Sequence, residues 1–251
     1  MVHIVGAGPG DPELITVKGK RYLQEADVVI YAGSLVNPAL LDVCRDGAEV
    51  YNSASMTLDE VIAVVEQSEK SGKMTVRLHT GDPSVYGAIQ EQMDAFRKRN
   101  IAFDIVPGVS SCFATAAALQ QEYTLPGISQ TVIITRNEGR TPVPEREKLC
   151  SLAAHQSTMC IYLSVAMLDQ VVAELIAGGY APETPIAIVQ KASWPEQKIV
   201  RGTLATIVEK TRDQGIDRTA MIVVSRCLGA DYELSRLYAP EFSHGFRKAS
   251  R

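Results

Sequence analysis

The sequence predicts an α/β fold in which short apolar strands alternate with amphipathic helices. Two observations carry that expectation. An apolar run at residues 2–5 ends in Gly6-Ala7-Gly8-Pro9-Gly10-Asp11-Pro12, three glycines and two prolines within seven residues, and Thr16 then supplies a helix N-cap. Two later strands end in related turns, His79-Thr80-Gly81-Asp82-Pro83 and Pro107-Gly108-Val109-Ser110-Ser111. Strand, Gly-rich turn and helix is how an open α/β sheet builds a crevice at the carboxyl ends of its strands. One such turn is readily structural; three ending on one sheet edge favour a pocket.

The first turn is not a dinucleotide fingerprint. That pattern runs Gly-x-Gly-x-x-Gly straight into a helix, whereas here Pro9 and a second turn, Gly10-Asp11-Pro12, delay the helix. The two prolines also lack the backbone N–H groups that a pyrophosphate takes up.

The elements follow in order. Residues 17–26 are amphipathic, with Val17, Leu23 and Ala26 on one side, and residues 26–31 form a buried strand stopped by Ala32-Gly33-Ser34. Asn37-Pro38 opens a short helix and residues 48–51 a short strand. Thr57-Leu58-Asp59-Glu60 is a capping box, so a helix is expected from there to about residue 71, ended by Gly72. The strand at residues 74–78 enters the second turn, which leads through Ser84-Val85-Tyr86-Gly87 into a helix to about residue 100. A strand at 103–106 enters the third turn, and the Ala-rich segment 111–119, apolar all round, is expected to be a helix buried between layers.

Residues 120–129, containing Leu125-Pro126-Gly127, read as a linker between an N-terminal domain, 1–119, and a C-terminal α/β domain, 130–229. The second domain opens on a strand at 131–135 that enters Arg136-Asn137-Glu138-Gly139-Arg140-Thr141-Pro142-Val143-Pro144. That loop reads either as a solvated connection or as a stiffened grip on a carboxylate-rich ligand, with Arg136 and Arg140 pairing bidentately. A strand at 158–163, a helix at 168–177 and a strand at 185–189 follow. Lys191-Ala192-Ser193-Trp194-Pro195 then separates the last of these from residues 198–202 in an expected hairpin. The single tryptophan, Trp194, serves equally well as a loop residue covering the core or as a wall facing a ligand. A helix from 203 to about 213 precedes a final strand at 220–224, and residues 230–251 read as a tail.

Composition bounds the function. A net charge of −4 over 251 residues, with no basic stripe, argues against nucleic acid as partner. No segment approaches the ~18 apolar residues of a membrane span. The N-terminus enters its first strand with no signal-like charge and apolar pattern, so a cytoplasmic protein is expected. The five cysteines, Cys44, Cys112, Cys150, Cys160 and Cys227, are scattered and form no Cys-x-x-Cys pair, and the histidines form no His-x-x-x-His pair. Free thiols and no metal site are the expectation.

The first turn with its continuation Glu13-Leu14-Ile15-Thr16, together with Gly81-Asp82-Pro83-Ser84-Val85-Tyr86-Gly87 and Pro107-Gly108-Val109-Ser110-Ser111, resembles the tetrapyrrole methylases, the class III S-adenosyl-L-methionine-dependent methyltransferases. Their order and spacing match over about residues 1–227. Within the family, the 131–145 stretch, Lys191-Ala192-Ser193-Trp194-Pro195 and the tail with Phe242-Ser243-His244-Gly245 resemble the branch that methylates C11 of precorrin-4 or cobalt-precorrin-4 in cobalamin biosynthesis. The resemblance implies two α/β domains with the cofactor in a cleft between them, and a homodimer. It implies that Pro9 borders S-adenosyl-L-methionine, that Thr80, Gly81 and Asp82 hold it, that Val85 and Tyr86 lie beside them, and that Ser110 and Ser111 follow. It further implies that Leu163, Ala187 and Ala220 wall the adenosine. Arg136, Arg140 and Trp194 are then the candidates for the tetrapyrrole itself.

The chemistry agrees with that resemblance. A sulfonium donor with an amino-acid end and no phosphates needs backbone polar groups, hydroxyls and a carboxylate, not a helix dipole aimed at pyrophosphate. Methyl transfer rests on positioning and desolvation, so it demands no acid–base pair, and no catalytic side chain is identifiable. Three other readings compete. One is a sibling enzyme, such as a uroporphyrinogen III C-methyltransferase or an enzyme acting on RNA or on a modified histidine. The second is a nicotinamide oxidoreductase, disfavoured by the glycine spacing. The third is a non-catalytic tetrapyrrole carrier, which would bind pigment but not S-adenosyl-L-homocysteine.

Overall fold

The computed structural model describes residues 1–229 and 232–249. Both termini of the expected tail, residues 230, 231, 250 and 251, lie outside the described residues. The chain divides into two compact units: the first comprises Met1–Thr115 and Lys191–Gln197, the second Ala116–Gln190 and Lys198–Arg251.

The first unit is built on a parallel sheet of β1 (Val2–Gly6), β2 (Val28–Tyr31), β3 (Glu49–Asn52), β4 (Thr75–His79) and β5 (Phe103–Val106), in the order β3-β2-β4-β1-β5. The chain leaves β1 for β2 and β3, then returns to place β4 beside β1, and finally sets β5 on the other side of β1. Strands β4, β1 and β5 are therefore neighbours, and their three Gly/Pro turns emerge side by side. β1 and β4 are buried along their whole length, as strands covered on both faces must be.

Two apolar layers flank this sheet. On one face α2 (Leu58–Lys70) and α3 (Gln90–Lys98) bury Val61, Ile62, Val65, Met93 and Phe96 against Ile4 and Ile30. On the other, α1 (Val17–Glu25) and the 3-10 segment Pro38–Val43 bury Leu23 and Leu40 against Val5, Val29 and Leu78. The local signals act as expected: Thr16 caps α1 through the Gly19 N–H at 3.0 Å, and Thr57 and Glu60 form the reciprocal capping box of α2.

The second unit carries β6 (Val132–Arg136), β7 (Thr158–Tyr162), β8 (Pro185–Gln190), β9 (Lys198–Thr203) and β10 (Ala220–Val224) in the order β6-β7-β10-β8-β9. Only the β6–β7 pair is parallel; β8 and β9 form the expected hairpin. Helices α5 (Leu149–Ala153), α6 (Leu168–Ala177) and α7 (Ile207–Asp213) bury one face of this sheet through Leu149, Leu168, Leu175 and Ile207 against Ile161, Ile188 and Ile222.

The helix expected from residue 203 begins only at Ile207, because β9 runs on to Thr203, and two further elements depart from expectation. The helix after the second turn begins only at Gln90, because Tyr86 and Ala88 take left-handed φ values of 56° and 49°, which no helix accommodates. Helix α4 (Ser111–Leu119) is not buried all round: Phe113 is 61% exposed, and Ala117, one turn on, is exposed as well. An alanine-rich helix carries no polar stripe to mark its open face.

Candidate functional site

The three turns of the first unit are packed backbone against backbone. A methyl group built on Gly6 would sit 2.6 Å from Gly108 Cα and 2.7 Å from the Gly81 carbonyl oxygen, and one on Gly108 only 2.1 Å from that same oxygen. No side chain fits at either position, so glycine at the ends of β1 and β5 is required by contact with the turn after β4. Gly8 and Gly81 exchange hydrogen bonds, N to O at 3.2 Å and O to N at 2.8 Å, and the Ala7 N–H donates to His79 O at 2.7 Å.

Asp82 locks the second turn to the third. Its Oδ2 accepts from the Gly108 N–H at 2.9 Å, while Oδ1 accepts from the Ser84 N–H at 2.9 Å and from the Ser84 hydroxyl. Burial pushes its carboxyl up, but the bonds from the Ser84 hydroxyl, the Gly108 N–H and the Ser84 N–H outweigh this and hold it below the ordinary value. The carboxylate expected to hold a ligand thus already organises the turns.

The first turn is held from outside by three side chains. Trp194 Nε1 donates to Pro9 O at 2.9 Å, and Asn37 Nδ2 donates to Gly10 O at 2.7 Å. The Ser193 hydroxyl accepts from the Asp11 N–H at 3.0 Å. A Cβ on Gly10 would lie 2.0 Å from the indole, so the ring rests directly on the glycine. Lys191 Nζ stands 5.2 Å from the ring centroid. The indole thus covers the Gly-rich turn rather than a hydrophobic core, and its ligand-facing reading is taken up below.

Other candidates lie around the same cradle. Pro9 and Ser110 are buried, Ser111 and Val85 half-buried, and Tyr86 exposed. A Cβ on Gly81 would sit 3.8 Å from both Ser110 Cα and Ser111 N, so the second turn faces the start of α4. The Thr80 hydroxyl is buried with no hydrogen-bond partner. A buried hydroxyl left unpaired at the centre of a glycine cradle is what a polar ligand would satisfy. The turns therefore offer a polar ligand one unpaired hydroxyl, beside the open face of Gly81.

In the second unit the strand-end loops hold the remaining candidates. Arg136 uses its guanidinium on its own loop: Nη1 donates to Asn137 O at 3.2 Å and Thr141 O at 3.1 Å, and Nη2 to Pro142 O at 2.8 Å. Arg140 is exposed and forms no hydrogen bond or ion pair among the described residues. Buried Asn137, which sequence reading did not single out, anchors the loop base: its N–H donates to Ser164 Oγ at 2.8 Å, and its Oδ1 accepts from the Glu138 N–H at 2.9 Å.

Leu163 follows β7 in a left-handed conformation, φ 55°, and is 66% exposed, an unfavourable state for a large apolar residue. Ala187 and Ala220 do not share a face. Ala187 pairs with Val223 on the side away from the helices, whereas Ala220 packs with Ile222 and Val224 against the helix-side core. A one-residue change of register in a strand reverses the face, and the sequence pattern of β10 carries no signal that sets it.

Comparison with known proteins gives four consistent findings. The model of the family Tetrapyrrole (Corrin/Porphyrin) Methylases matches residues 1–208. A cobalt-precorrin-4 C(11)-methyltransferase from Methanocaldococcus jannaschii is 59% identical over 251 residues, covering 100% of this chain and 97% of that protein. The X-ray structure of a cobalt precorrin-4 methyltransferase, a cobalamin biosynthetic enzyme, superposes with a TM-score of 0.89 at 48% identity, covering 91% of this chain and 96% of that one. A uroporphyrin-III C-methyltransferase from Thermus thermophilus, complexed with S-adenosyl homocysteine, superposes with a TM-score of 0.75 at 27% identity, covering 90% and 92%.

Proposed function

We propose that this chain, which belongs to the tetrapyrrole (corrin/porphyrin) methylase family, transfers a methyl group from S-adenosyl-L-methionine to C11 of precorrin-4 or cobalt-precorrin-4 in cobalamin biosynthesis. The observation that carries this reading is the match along the whole chain, 59% identity over 100% of it, to a relative of that activity. A uroporphyrin-III enzyme shares the fold at only 27% identity.

S-adenosyl-L-methionine, when bound, supplies an electrophilic methyl on a sulfonium. The residues assigned to it are Pro9, Thr80, Gly81, Asp82, Val85, Tyr86, Ser110 and Ser111 in the first unit. Thr80 offers the unpaired hydroxyl, and Gly81, where a Cβ would meet nothing closer than 3.8 Å, offers room for close approach. Asp82 acts through the two turns it ties together. From the second unit Leu163, Ala187 and Ala220 are assigned to the adenosine. Ala187 and Ala220 present opposite faces of their sheet, so at most one of them does so through its side chain.

The nucleophile is an electron-rich ring carbon, and the protein's work is orientation: one carbon must approach the methyl in line, at about 3–3.5 Å. Precorrins carry several acetate and propionate carboxylates. Arg140, with its guanidinium free, is assigned to bind one; Arg136, committed to its own loop, holds that loop in shape. Trp194 holds the first turn through its Nε1, and its partly exposed ring is assigned to the macrocycle as a flat apolar wall.

The reading extends to a cytoplasmic homodimer. No helix among the described residues is long and apolar enough to cross a membrane. The exposed Leu234, Tyr238 and Phe246 supply apolar surface for association. Light scattering on the purified protein gives the mass directly.

Incubation with precorrin-4 or cobalt-precorrin-4 and ¹³C-methyl-labelled S-adenosyl-L-methionine, followed by NMR, tests the assignment. Label at C11 is the expected outcome. Label only on uroporphyrinogen III, with precorrin-4 untouched, would transfer the chain to a sibling activity; pigment binding without S-adenosyl-L-homocysteine binding would make it a carrier.

A further inference from the structure

Strand β4 carries a buried guanidinium that the reaction does not use. Arg77 is 6% exposed, and no carboxylate pairs with it among the described residues. Burial lowers its pKa to about 10, so it stays charged at neutral pH in an apolar layer. Its bonds are directed. Nε donates to Gln92 Oε1 at 3.0 Å, and Nη1 donates to Ile30 O at 3.1 Å.

Gln92 is equally buried, at 6% exposure, and lies on α3. Its other amide atom, Nε2, donates to Ala88 O at 3.0 Å. Arginine has donors only, so it dictates which end of the Gln92 amide is oxygen. With the oxygen turned to Arg77, the NH2 is turned to the Ala88 carbonyl.

Ala88 belongs to a strained segment. Tyr86 and Ala88 are both left-handed, and between them a Cβ on Gly87 would lie 2.2 Å from Pro83 O. Non-glycine residues in this region persist only where their surroundings over-determine them. The segment follows directly on Asp82 and carries Val85 and Tyr86.

We propose that Arg77 and Gln92 are positioning residues for the methyl donor: the buried guanidinium orients the Gln92 amide, which holds the Ala88 carbonyl and so the bent 85–88 segment in its binding conformation. This rests on the assignment of the 80–86 turn to S-adenosyl-L-methionine.

The test is Gln92→Glu in the full chain. The carboxylate still accepts from Arg77 and gains an ion pair, so the melting temperature is expected to equal or exceed that of wild type. It cannot donate to Ala88 O, so S-adenosyl-L-homocysteine affinity by calorimetry is expected to fall roughly tenfold, the worth of one good buried hydrogen bond. Hydrogen exchange is expected to rise at residues 85–90 and not in β1. Gln92→Met, which loses both bonds, is expected to show the same affinity loss and the same local exchange, and decides the matter if the glutamate variant misfolds. Wild-type affinity in a folded variant overturns the positioning role alone. If the wild-type protein itself fails to bind S-adenosyl-L-homocysteine, the cofactor assignment fails and the proposal with it.

Discussion

The indole of Trp194 donates to the carbonyl of Pro9 at 2.9 Å, joining two residues 185 positions apart. The contact sits on the Gly-rich turn that ends β1, an interior strand of the first sheet. A tryptophan resting on Gly10 both occupies the space a side chain would need and satisfies a buried carbonyl. Turn and tryptophan thus specify each other, and each can be tested through the other.

Trp194→Phe keeps an aromatic cover and leaves the Pro9 carbonyl without its donor. A loss of about 1–2 kcal/mol in unfolding free energy is expected, the cost of one unsatisfied buried acceptor. Gly10→Ala, whose methyl would meet the ring at 2.0 Å, is expected to do more damage. Denaturant melts of the two variants check both values. An unchanged Phe variant would mean that the hydrogen bond contributes nothing.

Asp82→Ala is expected to weaken S-adenosyl-L-homocysteine by loosening two turns at once, since three donors lose their acceptor. The affinity is expected to drop roughly tenfold, accompanied by a lower melting temperature. Because the folded carboxyl is held below its ordinary value, its contribution to stability is complete above the unfolded-state pKa and is lost as pH falls through the folded one. Calorimetry at neutral pH and melts across the acid range separate the two effects. Intact affinity in a folded variant removes Asp82 from the site.

Arg140→Ala and Arg136→Ala are expected to differ. The first removes an exposed cation with no partner among the described residues, so the substrate KM rises roughly tenfold while melting temperature and S-adenosyl-L-homocysteine Kd stay put. The second deletes three hydrogen bonds to loop carbonyls, so KM rises and hydrogen exchange speeds up over residues 136–144. Steady-state kinetics alongside exchange reads both. Loss of cofactor affinity with KM unchanged would put the loop on the wrong ligand.

His79 makes the first unit sensitive to acid. Burial, reinforced by the nearby Arg77 charge, lowers its pKa to about 3. The unfolded chain, with a histidine pKa of about 6.5, binds a proton the folded one refuses, so stability is full above that value and falls as pH drops toward 3. The slope in this window is expected to approach about 1.4 kcal/mol per pH unit. His79→Asn, which cannot protonate, is expected to flatten it. A variant curve parallel to wild type between pH 6.5 and 4 would assign the slope to other groups.

The amino-acid sequence by itself determined what is local. Glycine and proline stop β1, β4 and β5 in characteristic turns, Thr57 and Glu60 start α2, and Lys198–Thr203 folds back on Pro185–Gln190 as a hairpin. Each is settled by backbone sterics or by hydrogen bonds within a few residues. The candidate site was legible for the same reason, because three glycine-rich strand ends leave a mark in the sequence. Tertiary structure alone decided partnership. Strand order set β4, β1 and β5 side by side and so brought the Asp82 carboxylate to Gly108 and Gly81 to Gly6. It put Ala187 and Ala220 on opposite faces of their sheet. These outcomes depend on groups distant in sequence competing for the same few buried donors and acceptors, and no local pattern encodes which of them wins.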